Sequence, residues 1–210
     1  MPTYPELVHF VGNLGMSVMS MDLNTHGWRL EFEDGAIMNS DKAEHIKEGA
    51  AVISQYCDII GVRTFPTLTD QEKDYQETVL NQFIKYASVP VISLESATRH
   101  PLQSLTDLMT IQEYQKTTRP KIVLSWSPHP KALPQAVANS FVEMMQDLEV
   151  DLTITHPKGY ELNSDITKIT TINYDQDEAL KDADFVYVKN WSSYSDYGKI
   201  LSQDSNWMIT

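Results

Sequence analysis

The sequence predicts an α/β protein of two lobes, each built round a mostly parallel sheet. Across its 210 residues short apolar runs alternate with longer amphipathic stretches, the pattern of repeated βα units. Thr117-Thr118-Arg119-Pro120 interrupts that alternation and a fresh apolar run starts at Lys121, so the lobes divide as 1–117 and 118–210. The chain shows no internal repeat, low-complexity tract or heptad array, which removes solenoids and coiled coils.

In the first lobe the apolar runs Ser17 to Asp22, Asp58 to Arg63 and Pro90 to Leu94 are expected strands, each bounded by turn formers or charges. Helices fill the gaps. Asp41-x-x-Glu44 has the form of a capping box for a helix ending near Gln55, and Asp70 can cap a second running to Tyr86. A third should start at His100-Pro101 and end at Tyr114, with Leu105, Leu108 and Met109 on neighbouring turns. The second lobe repeats the scheme, with strands at Lys121 to Trp126, Asp151 to Thr155, Ile169 to Asn173 and Asp184 to Lys189. Helices are expected at Leu133 to Asp147 and Asp177 to Lys181. This order suits half of a doubly wound sheet.

Composition narrows the function. With 16 Lys+Arg against 29 Asp+Glu the formal charge is −13, which disfavours a general nucleic-acid or anionic-membrane partner. The N-terminal residues lack a basic and an apolar region of the signal type, and no apolar run approaches the ~18 residues of a membrane span. A single cysteine, Cys57, rules out an intrachain disulfide framework and fits a reduced, cytoplasmic setting. The six histidines show no metal-ligand spacing, so no metal is expected. The turn after Trp126, Ser127-Pro128-His129-Pro130-Lys131, has no glycine to cradle a pyrophosphate, which disfavours a nicotinamide cofactor.

Polar chemistry gathers after the strands, where open α/β sheets bind ligands. Arg63 ends one expected strand, Arg99 and His100 follow another, His129 and Lys131 a third, and Lys189 a fourth. Six basic groups near strand ends of an acidic chain point to a site for a small anion, of a transferase or lyase. Each alone has a plainer reading: an arginine in a surface pair, a histidine capping a helix, a lysine at a solvated strand end.

At these residues the sequence resembles a family. His100-Pro101-Leu102-Gln103 followed by Asp107, with Val62-Arg63-x-Phe65 before it, resembles the carbamoyl phosphate motif of the aspartate and ornithine transcarbamylases. Several neighbouring stretches are similar to the N-acetylornithine and N-succinylornithine carbamoyltransferases. They include Asn13-Leu14-Gly15-Met16, Trp28, Met38-Asn39-Ser40-Asp41, Glu44-His45, Trp126-x-Pro128-His129-Pro130-Lys131 and Tyr187-Val188-Lys189-Asn190-Trp191. The resemblance covers nearly the whole chain. It implies two Rossmann-like lobes in the transcarbamylase fold, the first binding carbamoyl phosphate and the second an acylornithine. The activity implied is transfer of the carbamoyl group to the δ-amine of N-succinylornithine or N-acetylornithine, on an arginine-forming route, without cofactor or metal.

By resemblance, Arg63 and His100 meet the carbamoyl oxygen and phosphate, Gln103 bonds the carbamoyl amide, and Phe65 belongs to the same segment. Glu95, His129 and Lys189 match positions around the acylornithine, and Trp28 matches a loop residue that completes a neighbouring subunit's site in a homotrimer. Ala43 stands where acetyl-specific members carry glutamate. A carboxylate there would repel a succinyl carboxylate, so alanine favours N-succinylornithine.

The chain also departs from the family. An S-x-R-T-R phosphate loop should precede the helix that Pro2 to Leu7 already occupies, and an H-C-L-P-x-R segment should follow Thr210. The expectation is therefore a fold incomplete at both termini and a 210-residue chain with little or no activity of its own. The competing reading is a non-catalytic paralogue that binds an amino acid or associates with a subunit.

Overall fold

The computed structural model describes residues 5–23, 28–38, 41–201 and 207–209. His26, Asn39 and Ser40 lie outside them. The described chain forms two compact units, one of Met1–Ile59 with Gln82–Pro90, the other of Ile60–Asn81 with Val91–Thr210. Every strand pair among the described residues is parallel, as the α/β reading requires. Among them, too, no helix is long and apolar enough to cross a membrane.

The first unit holds helix α1 (Pro5–Asn13), the two-residue strands β1 (Leu30–Glu31) and β2 (Glu44–His45), and helix α2 (Ile46–Ile53). Two expectations fail here. Ser17 to Asp22 is not a strand: Val18, Met19 and Met21 are exposed, and an apolar run without a ladder partner does not make a strand. Asp41 does not cap α2, because its carboxylate pairs with Arg29 and Glu44–His45 is used in the β1 ladder. The helix starts later, and His45 Nδ1 accepts the Lys47 N–H at 3.0 Å as its cap. Asp34 accepts from Lys85 Nζ (2.5 Å) and Tyr86 Oη (2.6 Å), which holds its carboxyl far below the usual carboxylate range.

The second unit contains two sheets. Strands β3 (Ile60–Arg63) and β4 (Val91–Glu95) form one, with helix α3 (Gln71–Gln76) between them in sequence. Asp70 caps α3 as expected, its carboxylate accepting from Lys73 N. The helix expected to run to Tyr86 breaks at Glu77, a left-handed residue (φ +48), and resumes as α4 (Thr78–Tyr86). Glu77 is held there because its Oε1 accepts from both the N–H and the hydroxyl of Thr98, at 2.9 and 2.8 Å.

The other sheet has the order β7-β6-β5-β8, from β5 (Lys121–Trp126), β6 (Asp151–Thr155), β7 (Thr171–Asn173) and β8 (Phe185–Lys189). Helices α5 (Pro101–Tyr114), α6 (Ala136–Gln146), α7 (Ser164–Thr167) and α8 (Gln176–Leu180) complete the unit. Five of the six β5 residues are buried, as a central parallel strand demands, and Ile122, Leu124 and Trp126 pack with Ile111, Phe141, Val142, Met145 and Ile154. Two buried tryptophans keep their indole N–H groups bonded: Trp126 Nε1 to Trp191 O at 2.9 Å and Trp191 Nε1 to Tyr160 O at 2.8 Å. Leu133 stays outside α6, its carbonyl accepting from Ser192 N.

Candidate active site

Sheet β7-β6-β5-β8 runs outward from β5 to β7 and then returns to the far side of β5 with β8. Strand order therefore reverses between β5 and β8, and a crevice for ligands is expected beyond their carboxyl ends. Lys189 stands there, paired in register with Trp126. The edge is tied by Ser127 N donating to Lys189 O at 3.1 Å and Asn190 Nδ2 donating to Ser127 O at 2.6 Å. His129 lies on the loop after β5 and closes a local turn, its Nδ1 accepting from Lys131 N at 3.1 Å.

The sharpest assembly is at the carboxyl ends of β3 and β4. The register shifts between Val62 and Arg63, so Val62 faces Ser93 while Arg63 faces Glu95. That irregularity sets two charged side chains opposite each other at the strand ends, a usual function of a bulge. Arg63 Nε and Nη2 both donate to Glu95 Oε2, at 2.9 and 2.8 Å, and the guanidinium carbon lies 4.4 Å over the Phe65 ring. Glu95 is only 7% exposed, so the pair is sheltered from water and the guanidinium plane is fixed by bond and stacking together.

His100 enters from the start of α5. Pro101 takes the first helical position, where its missing N–H costs nothing, and His100 is the cap residue. Its Nδ1 accepts the Gln103 N–H at 3.3 Å and its own N–H donates to Ser140 Oγ at 2.8 Å. An accepting Nδ1 carries no proton, so the neutral ring is protonated on Nε2. That nitrogen is 3.8 Å from Glu95 Oε2. Burial pushes the His100 pKa down, against the pull of Glu95 upward and with the push of Arg63 and Lys189 downward. The result is a neutral N–H donor beside a fixed guanidinium.

Farther along the same face of α5, Gln103 Nε2 donates to Asp107 Oδ1 at 2.9 Å. The structure thus gathers Arg63, Phe65, Glu95, His100 and Gln103, with the Lys189 charge felt by both His100 and Asp107. Trp28 and Ala43 belong to the other unit. There Trp28 is half-buried and its Nε1 donates to Glu44 Oε2 at 3.2 Å, while Ala43 is exposed. Sequence reasoning missed Ser140 and Tyr187 as supports of this site. Neither role could be read locally, because each acts from a distant stretch of the chain: Ser140 reaches His100 across 40 positions.

The aspartate/ornithine carbamoyltransferase carbamoyl-P binding domain matches residues 11–113. N-succinylornithine carbamoyltransferase of Bacteroides thetaiotaomicron is 54% identical over 200 residues, covering 94% of this chain and 63% of that protein. N-acetylornithine carbamoyltransferase of Xylella fastidiosa is 37% identical over 88% of this chain and 59% of its own length. Among solved structures, an N-acetyl-L-ornithine transcarbamylase variant complexed with carbamyl phosphate and N-succinyl-L-norvaline superposes with a TM-score of 0.86. It is 34% identical over 94% of this chain and 65% of that one. The chain spans just under two thirds of the length of these relatives.

Proposed function

This chain belongs to the aspartate/ornithine carbamoyltransferase family, and from that premise we propose that it carries most of the site for carbamoyl transfer from carbamoyl phosphate to the δ-amine of N-succinylornithine. Residues 1–117 serve carbamoyl phosphate, in keeping with the domain matched at 11–113, and residues 118–210 serve the acylornithine. The products are acylcitrulline and phosphate.

The observation that carries the reading is the fixed guanidinium of Arg63 beside the Nε2–H donor of His100, within the H-P-x-Q segment. The amine lone pair attacks the carbamoyl carbon, negative charge develops on the carbonyl oxygen, and the bond to the phosphate oxygen breaks with the electron pair leaving on phosphate, which takes up the proton the amine nitrogen gives up. Donors already in place for those oxygens stabilise that charge without reorganising, usually the greatest single source of acceleration where charge builds on oxygen. Arg63 suits the phosphate and carbonyl oxygens and His100 the carbonyl oxygen. Gln103 bonds the carbamoyl NH2. Burial lowers the His100 pKa and so favours the neutral ring, in which Nδ1 accepts from Gln103 N and Nε2 carries the N–H that donates.

On the acceptor side Lys189 and His129 meet the acylornithine at the β5/β8 crevice, with Lys189 pairing a carboxylate. Glu95 both orients Arg63 and borders this space. Trp28 completes the site of a neighbouring copy in a homotrimer, and the enzyme works in the cytoplasm. Ala43 selects the succinyl group: the N-succinylornithine carbamoyltransferases are the relatives at 54% and 52% identity, against 37% for the acetyl enzymes.

Calorimetry of the chain with succinylornithine and acetylornithine tests this. The succinyl compound should bind more tightly, and Ala43→Glu should weaken it about tenfold or more by placing like charges together while sparing the acetyl compound. Equal affinities that Ala43→Glu leaves unchanged, or binding of neither compound, would overturn the assignment.

A further inference from the structure

We propose that Asp107 is a positioning residue that fixes which end of the Gln103 amide faces the carbamoyl group, so that the amide oxygen is presented as an acceptor. The inference rests on the carbamoyl phosphate reading above and adds a determinant of selectivity to it.

Gln103 and Asp107 are one turn apart on α5, and Gln103 Nε2 lies 2.9 Å from Asp107 Oδ1. A glutamine amide is nearly symmetric in shape but not in chemistry, offering donors at one end and an acceptor at the other. A carboxylate only accepts, so it can hold only the NH2 end. The amide oxygen of Gln103 must then point away from Asp107. A carbamoyl group ends in an NH2, a donor, and the oriented oxygen is its complement. With the amide reversed, two NH2 groups would meet.

Asp107 is itself held in place. It faces Tyr187 on β8, whose ring stacks on Phe141 with centroids 4.5 Å apart and planes at 10°. Burial raises the Asp107 pKa, opposed by the Gln103 hydrogen bond, by the nearby Tyr187 hydroxyl and by the charges of His100 and Lys189. Burial together with Asp107 raises the Tyr187 phenol. Through these four side chains the surroundings act on the carboxylate. A protonated Asp107 would gain a donor and lose the power to discriminate, so orientation is firmest with the carboxyl ionised.

Two stable probes separate orientation from general integrity: phosphonoacetamide, which ends in NH2, and acetonylphosphonate, which replaces that group by methyl. The wild-type chain should prefer the amide about tenfold, the worth of one hydrogen bond. Asp107→Asn can hold either end of Gln103, and should reduce that preference toward unity while binding of the methyl probe changes little. A merely structural role would weaken both probes alike and keep the ratio. An unchanged ratio, or equal loss of both, overturns the proposal. If the wild-type chain binds neither probe, the carbamoyl phosphate reading fails, and the orientation is decided by NMR of the Gln103 side-chain NH2. Its resonances should move with the Asp107 carboxyl titration and exchange slowly with water. Resonances indifferent to that titration overturn the proposal on their own.

Discussion

Alanine in place of Gly198 asks whether the loop after β8 is anchored where the structure puts it. Gly198 has φ +71, and a Cβ built there would stand 2.0 Å from the Leu68 backbone oxygen and 2.9 Å from its carbonyl carbon. Leu68 cannot step aside easily. It is itself left-handed at φ +59, and the Asp74 carboxylate accepts from both the Leu68 and the Thr67 N–H, at 2.9 and 2.8 Å. The 192–199 loop must therefore lift, and the first bond lost is Tyr197 Oη to Asp74 Oδ2 at 2.8 Å. A left-handed alanine costs about 1–2 kcal/mol and a lost hydrogen bond to a charged acceptor about 1.5–3 kcal/mol. At about 2–4 °C per kcal/mol for a chain of this size, Tm should fall by roughly 5–20 °C. Gly159→Ala is the matched control in the same unit. Its φ is +92, but the nearest atom to an added Cβ is Leu201 Cδ1 at 2.9 Å, the far end of a side chain that can turn. It bears the backbone cost alone, roughly 2–8 °C. Thermal melts followed by circular dichroism compare the two. A loss for Gly198→Ala no larger than for Gly159→Ala would refute the anchoring.

Three further outcomes follow from the geometry. His156 is 1% exposed and burial depresses its pKa, so the folded state resists a proton that the unfolded state takes up near pH 6.5. Stability is then full above that pH and declines as pH falls below it, at up to about 1.4 kcal/mol per unit for this group; denaturant midpoints between about pH 7 and 5 should fall less steeply for His156→Gln, and an equal slope would contradict the account. Glu95→Gln removes the carboxylate that raises the His100 pKa, so the His100 titration followed by NMR should move to lower pH, and a move to higher pH would remove Glu95 from its place. Ser140→Ala leaves the His100 N–H without its acceptor and should cost about 1–3 kcal/mol in urea unfolding, against near zero if that bond is absent in solution.

Much of the fold could be read from the chain because each reading rested on neighbours in sequence. The apolar runs at β3, β4, β5, β6 and β8 form the parallel sheets, and strands of that kind announce themselves by composition alone. The caps Asp70 and His100 act on N–H groups three residues away, and both were legible for that reason. Arg63, His100 and Gln103 were legible as candidate site residues because ligands gather at strand ends and because the H-P-x-Q spacing is distinctive.

Tertiary structure decided the rest, wherever a side chain had more than one partner to choose from. Ser17 to Asp22 has the apolar run of a strand, but a strand exists only beside another. Asp41 has the spacing of a cap, yet Arg29 takes its carboxylate. Glu77 breaks a continuous helical pattern because Thr98, 21 residues on, holds it in a left-handed turn. The register shift that sets Arg63 against Glu95, and the carboxylate that turns the Gln103 amide, leave no local trace. Periodicity records which face of an element is buried. Which charge meets which depends on the distances that folding alone creates.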